Sequence, residues 1–385
     1  MPDESTRPPS PGRVVAIDAV RGIAIVLMIL DHCRRGFRVA NFPPTDVART
    51  SSELFLTRWV THVAAPTFVF LAGVSIALFT TRHAGRSVSA YLFKRGLFLI
   101  LMELTVVKFC SDFGMDYNFT YLQVIWAIGA SMVLMAGLVH LPRPAGALLG
   151  LAFLVSPNVL QATLPPDRLD GAVVHLLAVP GGFTLDGMRL QVSYPALPWC
   201  AMMLFGFASA PTLLRLLRER RWPVFALGAV LCAAFAVLRY LDLDLDPWRF
   251  YVQGTSEKTL MAFLNATKYP PSPGFTLMTL GPMFLLLAGA ASLRDRLLFV
   301  PATIGRAAMT LYLLHLLLIQ ILELLADAFP GPFAAFGLAP VAGTGLYTLP
   351  QVYWLTVVVT GFCFLAALGY VALRRRTRHP VFSYI

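Results

Sequence analysis

The sequence predicts an all-α protein: a polytopic transmembrane helical bundle of about ten spans, with both termini cytoplasmic. Three observations predict it. The 385 residues are 57% hydrophobic and only 13% charged, against about 25% charged in soluble chains. Runs of about 20 apolar residues, long enough to cross a hydrocarbon core, recur along the chain. Basic connections alternate with acidic or lightly charged ones, the charge asymmetry of a multi-span protein.

The first dozen residues, MPDESTRPPSPG, are polar and Pro-rich, so 1–12 reads as a disordered tail. No small-residue cleavage site follows the first apolar run, which is therefore a retained span rather than a signal peptide. The expected spans are 14–33, 54–79, 90–110, 119–139, 145–163, 195–216, 222–240, 274–292, 302–326 and 350–373. TTRHAGRS (80–87), HLPRPAG (140–146), RLLRERRWP (215–223), SLRDR (292–296) and the tail RRRTRH (374–379) are basic and should face the cytoplasm. SDFGMDYN (111–118) and LDLDLDP (241–247) are acidic and should face outward. Residues 13–374 thus read as one transmembrane domain and 375–385 as a basic cytoplasmic tail.

This arrangement accounts for the net charge of +11 through basic residues along the cytoplasmic leaflet, with no nucleic-acid partner. The partner it implies is the lipid bilayer, and the location a multi-pass protein of the cell inner (plasma) membrane. A homodimer stays open as the assembly. Cys33, Cys110, Cys200, Cys232 and Cys363 lie in or beside spans. None has disulfide-framework or metal-ligand spacing, so no metal site is expected.

Span one, RVVAIDAVRGIAIVLMILDHCRRGF, carries charges that a plain anchor does not need. At about 100° per residue, His32 falls within roughly 20° of Arg21 and 40° of Asp18. That face should look into protein, while Asp31 points nearly the other way. An ionisable residue inside a span is a candidate functional group, although Asp18 and Arg21, three apart, would equally form a structural pair. Arg34, Arg35 and Arg38 follow on the outer side, against the charge rule.

In span two, Arg58 and His62 are four apart on one face, and Pro66 should kink the helix. Span three places Lys94 and Arg95 at its inner end and Glu103 in mid-membrane, where a carboxylate needs a partner such as a neighbouring arginine. YPALPW (194–199) puts Tyr194 and Trp199 at the outer mouth of span six. NATKYPPSPGF (265–275) brings Asn265, Lys268 and Tyr269 to the same side in a Pro-stiffened loop. Span nine has Tyr312 and His315 on one face.

Together DAVRGIAIVLMILDH, RWVTHVAAPTFVFLAG, YPALPW, NATKYPPSPGF and IGRAAMTLYLLH resemble the bacterial membrane proteins grouped with the catalytic domain of heparan-alpha-glucosaminide N-acetyltransferase. The resemblance covers nearly the whole chain from Arg13. It implies a transferase that moves acetyl from cytosolic acetyl-CoA to a glucosamine amine across the membrane. His32 falls where that family has a site asparagine ending span one. The family's catalytic histidine between spans one and two has no counterpart between Cys33 and Thr61, so His32 or His62 would substitute.

Acyl transfer needs a base with a pKa near working pH, and histidine supplies one. It could also carry the acyl group as an acyl-imidazole. The expected catalytic residues are therefore His32, Asp31 and His62. Asp18, Arg21, Lys94 and Arg95 are the expected holders of acetyl-CoA, with cations for its phosphates. Arg58, Asn265, Lys268, Tyr269, Trp199 and His315 are expected around the acceptor, a sugar or glycolipid, with donors for the developing oxyanion. The alternative is a proton-coupled transporter of a small polar or anionic solute, using Asp31, His32, Glu103 and His315.

Overall fold

A computed structural model describes residues 15–376 except 82, 84–85, 115–117 and 244. Both expected tails, 1–12 and most of 375–385, lie outside the described residues. Helices dominate, in the order α1 (Val15–Gly36), α2 (Ser52–Thr61), α3 (Ala64–Thr80), α4 (Arg86–Met102), a π-turn (Glu103–Val107), α5 (Lys108–Asp112), α6 (Val124–Leu138), α7 (Arg143–Thr163), α8 (Pro166–Leu169), α9 (Ala172–Leu177), α10 (Ala196–Glu219), α11 (Trp222–Tyr240), α12 (Ser256–Leu264), α13 (Pro273–Ser292), α14 (Phe299–Arg306), α15 (Ala308–Ala328), α16 (Pro330–Ala335) and α17 (Leu349–Arg376). Among the described residues, seven helical stretches are long and apolar enough to cross a membrane, with α2 and α3 taken together. It is a helical membrane protein.

Helix α1 is the hub. It packs against α2, α3, α13, α14, α15 and α17, and Ala19, Ile25, Ile29 and Cys33 on it are fully buried. A close crossing with α14 fixes its position. A Cβ on Gly22 would lie 1.8 Å from the Pro301 carbonyl oxygen, and one on Gly305 would lie 1.8 Å from the Asp18 carbonyl oxygen. Only glycine at both places lets the backbones meet. Gly73 and Gly206 do the same for α3 and α10: a Cβ on either would lie 2.0 Å from a backbone oxygen of the other helix, of Met203 or of Phe70.

Three expected spans are not single helices. Span two divides at residues 62–63 into α2 and α3. Pro66 lacks the N–H that would bond the carbonyl of His62, so the helix restarts there. Span nine divides at Ala307 into α14 and α15. Span four begins later than expected, at Val124, because Phe119–Leu122 is a strand, β1. Along β1, Thr120 and Leu122 are buried while Phe119 and Tyr121 are exposed, the period-two burial of a half-covered strand.

The chain is mostly helical, as expected, and this strand belongs to a small sheet that the sequence reading did not include. β1 pairs in parallel with β3 (Met188–Val192), which pairs antiparallel with β2 (Gly181–Leu185). Asp186 and Gly187 turn the hairpin with φ of 47° and 82°, the left-handed pair a two-residue hairpin needs. The sheet's buried side chains Leu122, Leu190 and Val192 pack against Leu104, Trp126 and Leu176.

Among the described residues Glu103 pairs with no arginine. It is 1% exposed and accepts from the backbone N–H of Gln123 at 2.7 Å and of Trp126 at 3.3 Å. Those N–H groups begin α6 and have no partner within it. The carboxylate thus caps a helix N-terminus, where the dipole favours negative charge. The π-turn that starts at Glu103 adds a residue to the helix.

Candidate functional site

At the C-terminal end of α1 a cavity of about 600 Å³ opens. Asp31, His32, Arg34, Arg35 and Arg38 from α1 and the residues after it line one wall, and Arg58 and Thr61 of α2 another. Lys268, Tyr269, Tyr194 and Gln123 complete it. Asp31 was expected to point away from His32, yet both line this cavity. The reason is that α2 stands over the face that carries Asp31, so that face is no lipid boundary.

Asp31 gathers three donors on one oxygen. Its Oδ1 accepts from Arg58 Nη1 at 2.7 Å, Arg34 Nη2 at 2.9 Å and Thr61 Oγ1 at 3.1 Å. This ties α2 to α1 and holds two guanidinium groups at the cavity wall.

His32 is paired with His315 of α15. His32 Nδ1 lies 2.7 Å from His315 Nε2, and His315 Nδ1 lies 2.8 Å from the Leu311 carbonyl oxygen. The carbonyl accepts only, so His315 carries its proton on Nδ1 and accepts on Nε2. His32 then donates from Nδ1, and its Nε2 holds the free lone pair. The tautomers follow from the hydrogen-bond network rather than from visible protons. His315 is fully buried, so it orients His32 from behind.

Lys268 and Tyr269 are held by an ionic clamp that the sequence did not reveal. Asp246 accepts from Thr267 N, Thr267 Oγ1 and Ser272 Oγ, each at 2.7 Å. Arg239, 2% exposed, lies 3.8 Å from Asp246 and donates to the carbonyls of Trp248, Phe263, Ala262 and Asn265. The loop 265–272 is therefore pinned at both ends. Lys268 is itself buried, its Nζ 5.4 Å from the Tyr194 ring centre and 5.2 Å from that of Tyr269. Burial and the Arg58 cation hold its ammonium below the usual lysine pKa, against the pull of Tyr269 and Asp31.

A second cavity, of about 420 Å³, opens from the opposite end of α1. Arg21, Arg95, Arg306 and Arg374 line it, with an apolar wall that includes Phe68, Phe79, Leu92 and Met132. Asp18 lies 3.6 Å from Arg21 and 4.0 Å from Arg306. Arg21 also donates to the Leu71 carbonyl and to Ser75 Oγ. Arg95 donates to Tyr91 at 2.7 Å.

Met28, Val124 and Tyr312 line both cavities. This partition stands directly under the histidine pair: Met28 is one helical turn before His32, and the Tyr312 ring centre is 6.4 Å from that of His32. A polar chamber at the C-terminal end of α1 and an arginine-rimmed chamber toward its N-terminal end thus share one thin wall.

The remaining expected site residues lie elsewhere. Lys94 is exposed and lines neither cavity. His62 is buried at the break between α2 and α3, its ring 5.6 Å from Phe275, and is not part of the lining of the first cavity. Asn265 ends α12 and donates to the Thr45 carbonyl at 3.0 Å. Trp199 is fully buried behind Tyr194, with ring centres 4.7 Å apart. Arg306 and Arg374 were not singled out, although Arg306 stands in the quoted IGRAAMTLYLLH stretch.

The five cysteines are all free. Among the described residues no group of His, Cys, Asp or Glu is placed to hold a metal ion. Comparison with known families matches residues 13–241 to the family described as heparan-alpha-glucosaminide N-acetyltransferase, catalytic. Comparison with curated proteins finds no match.

Proposed function

The chain belongs to the heparan-alpha-glucosaminide N-acetyltransferase catalytic family, and from that premise we propose that it carries an acetyl group from cytoplasmic acetyl-CoA to an extracytoplasmic sugar or glycolipid. The observation that carries this reading is the pair of chambers that meet at Met28, Val124 and Tyr312 beneath His32. Asp18 and His32, 14 residues apart, are separated by about 21 Å along the helix. A donor confined to one side and an acceptor confined to the other could meet only across such a thin partition.

On this reading the inner chamber receives the donor. Arg21, Arg95, Arg306 and Arg374 offer guanidinium forks to its phosphates, and Asp18 holds two of them in place. The apolar wall suits the pantetheine arm, with the thioester directed at the partition.

The acceptor amine or hydroxyl lies in the outer chamber. His32 Nε2 takes its proton as the acceptor's nitrogen or oxygen bonds to the thioester carbon. His315, accepting from His32 Nδ1, favours the resulting imidazolium, as an oriented neighbour does for a histidine base. The carbon–sulfur bond then breaks, and the thiolate leaves on the inner side and takes a proton there. Arg58 and Lys268 are the donors closest in kind to what the developing oxyanion requires.

The test is acetyl transfer by purified protein in liposomes, with labelled acetyl-CoA supplied on one face and an amino sugar on the other. Transfer should occur only when the donor is on the Arg21 side. His32→Ala should lower turnover by a factor of about 10² to 10⁴ while donor binding persists. Turnover above about a tenth of wild type in His32→Ala would remove it from the base role. Solute uptake with no labelled product would favour the transporter instead.

A further inference from the structure

Residues 240–252 run from the last residue of α11 toward α12 and face two ways. Tyr240, Leu243, Leu245, Trp248, Tyr251 and Val252 are each half or more exposed. A cluster of exposed large apolar side chains marks an interaction surface. Asp246 stands among them with its side chain fully buried. Its Oδ1 accepts from Trp248 N at 3.0 Å and Thr267 Oγ1 at 2.7 Å, and its Oδ2 accepts from Thr267 N and Ser272 Oγ at 2.7 Å. The same short segment thus presents apolar groups outward and holds the loop of Lys268 and Tyr269 inward.

The backbone of the segment is strained. Leu245 has φ of 52°, a left-handed conformation that a bulky side chain adopts only when its surroundings impose it. Asn158 of α7 donates to the Leu245 carbonyl at 2.6 Å, so the strap is fastened to α7 as well as to α11. Its charges are spent within the protein: Asp246 lies 3.8 Å from Arg239, and Asp242 pairs with Arg249 at 2.8 Å. Three aspartates against one arginine in 240–252 offer no attraction to anionic headgroups. What the strap offers a partner is apolar and aromatic area.

The position of α11 says which partner that is. This helix is long and apolar enough to cross a membrane, and it begins at Trp222 and ends at Tyr240, which are 69% and 74% exposed. The two aromatics are about 27 Å apart along the helix axis, close to the hydrocarbon thickness of about 30 Å. Exposed Trp and Tyr at the two ends of a span mark the two membrane–water interfaces. Tyr240 therefore sets one interface at the level where the strap starts. The exposed side chains of Phe225, Val230 and Val237 along α11 make its lipid-facing surface continuous with the strap. We propose that residues 240–252 lie in the membrane interface, embedded in lipid by Leu243, Trp248, Tyr251 and Val252, and that this embedding holds Asp246 and through it the loop of Lys268 and Tyr269. The bilayer is then part of what positions one wall of the chamber at the C-terminal end of α1. The inference does not depend on which reaction that chamber performs.

The test uses the full chain in nanodiscs of phosphatidylcholine whose acyl chains carry bromine, a contact quencher of tryptophan, either near the headgroups or near the midplane. Trp248 is one of six tryptophans, so its emission is the difference between wild type and Trp248→Phe. That difference should fall at least about twofold with bromine near the headgroups, where an interfacial ring lies, and less with bromine at the midplane. Replacing a fifth of the lipid by phosphatidylglycerol should change nothing. Absence of quenching would overturn the inference, and two copies of the chain per nanodisc in that case would assign the surface to a second copy instead.

The coupling is read by hydrogen exchange at Thr267, whose N–H is bonded to Asp246. Leu243→Glu with Val252→Glu, at two exposed positions, should lift the strap from the interface. Exchange at Thr267 should then quicken several-fold by local opening, while the amides of α15 keep their wild-type protection. Leu243→Ser with Val252→Ser should act in the same direction and serves if the glutamates prevent folding. Wild-type exchange at Thr267 in a folded variant whose Trp248 is no longer quenched would overturn the coupling.

Discussion

Gly305→Ala should separate the two helices that build the inner chamber. The new Cβ would lie 1.8 Å from the Asp18 carbonyl oxygen, whereas real Cβ contacts stay beyond about 3.0 Å. The helices must therefore part by about 1.2 Å, the difference between the two, because the obstructing atom is backbone. Asp18 and Arg306 are already 4.0 Å apart, so the same shift carries them out of ion-pair range. Overpacking of this kind costs about 1–3 kcal/mol, partly offset by alanine's helix preference of about 0.5–1 kcal/mol over glycine.

The assay is thermal unfolding in detergent beside donor binding. Gly305→Ala should melt several degrees lower and bind acetyl-CoA more weakly. Gly361→Ala is the control, since a Cβ there meets nothing within 4 Å; it should melt at or slightly above the wild-type temperature. Wild-type melting and donor binding in Gly305→Ala would refute the claim that this backbone contact sets the chamber.

Three further outcomes are expected. Glu103→Ala strands the N–H groups of Gln123 and Trp126 in an apolar setting at about 1–3 kcal/mol each, so its unfolding temperature should fall clearly. An unchanged value would mean that water or another group caps α6. The help Lys268 gives to acetyl transfer as a donor to the developing oxyanion should decline as pH rises through a range below the usual lysine pKa of about 10.4, because burial and Arg58 hold that ammonium down while Tyr269 and Asp31 oppose them. The cation exists only below its own pKa, so the loss comes on raising pH; Lys268→Arg should flatten the profile, and a wild-type profile flat to pH 10 would remove Lys268 from that role. Reporter fusions should read cytoplasmic after Arg220 and external after Asp246, as the basic and acidic connections require; the reverse at either position would invert or break the ten-span topology.

Much of the site lay within reach of the sequence, with particular gaps. His32, Arg58, Lys268 and Tyr269 were recognisable because charges and polar aromatics at span ends are rare and call for a reason. The tie between His32 and His315 was not, because 283 residues separate them and the face shared by Tyr312 and His315 does not say which helix it meets. Asp31 was misplaced by a helical wheel that treats one side of a helix as lipid, whereas α2 covers the side of α1 that carries Asp31. Glu103 was expected to seek an arginine, yet backbone N–H groups satisfied it, and these leave no mark in side-chain chemistry. The β2–β3 hairpin did carry a signal, Asp186-Gly187 between two alternating runs, but it sat in a stretch read only for its lack of a long span.

The sequence by itself determined that this is a helical membrane protein and that its charges gather at the two ends of span one. Both follow from local physics: hydrocarbon accepts only runs of apolar residues with internally bonded backbone, and charges in such runs are too costly to be incidental. Its resemblance to a family is carried by short stretches that need no fold to be read. Only the tertiary structure decided that Gly22 and Gly305 touch and thereby set Arg21 beside Arg306. It alone joined His32 to His315, pinned the loop of Lys268 with Arg239 and Asp246, and left two chambers divided by Met28, Val124 and Tyr312. Those arrangements depend on which helix faces meet across the bundle. That choice is made by the packing of the whole chain at once, and no window of residues contains it.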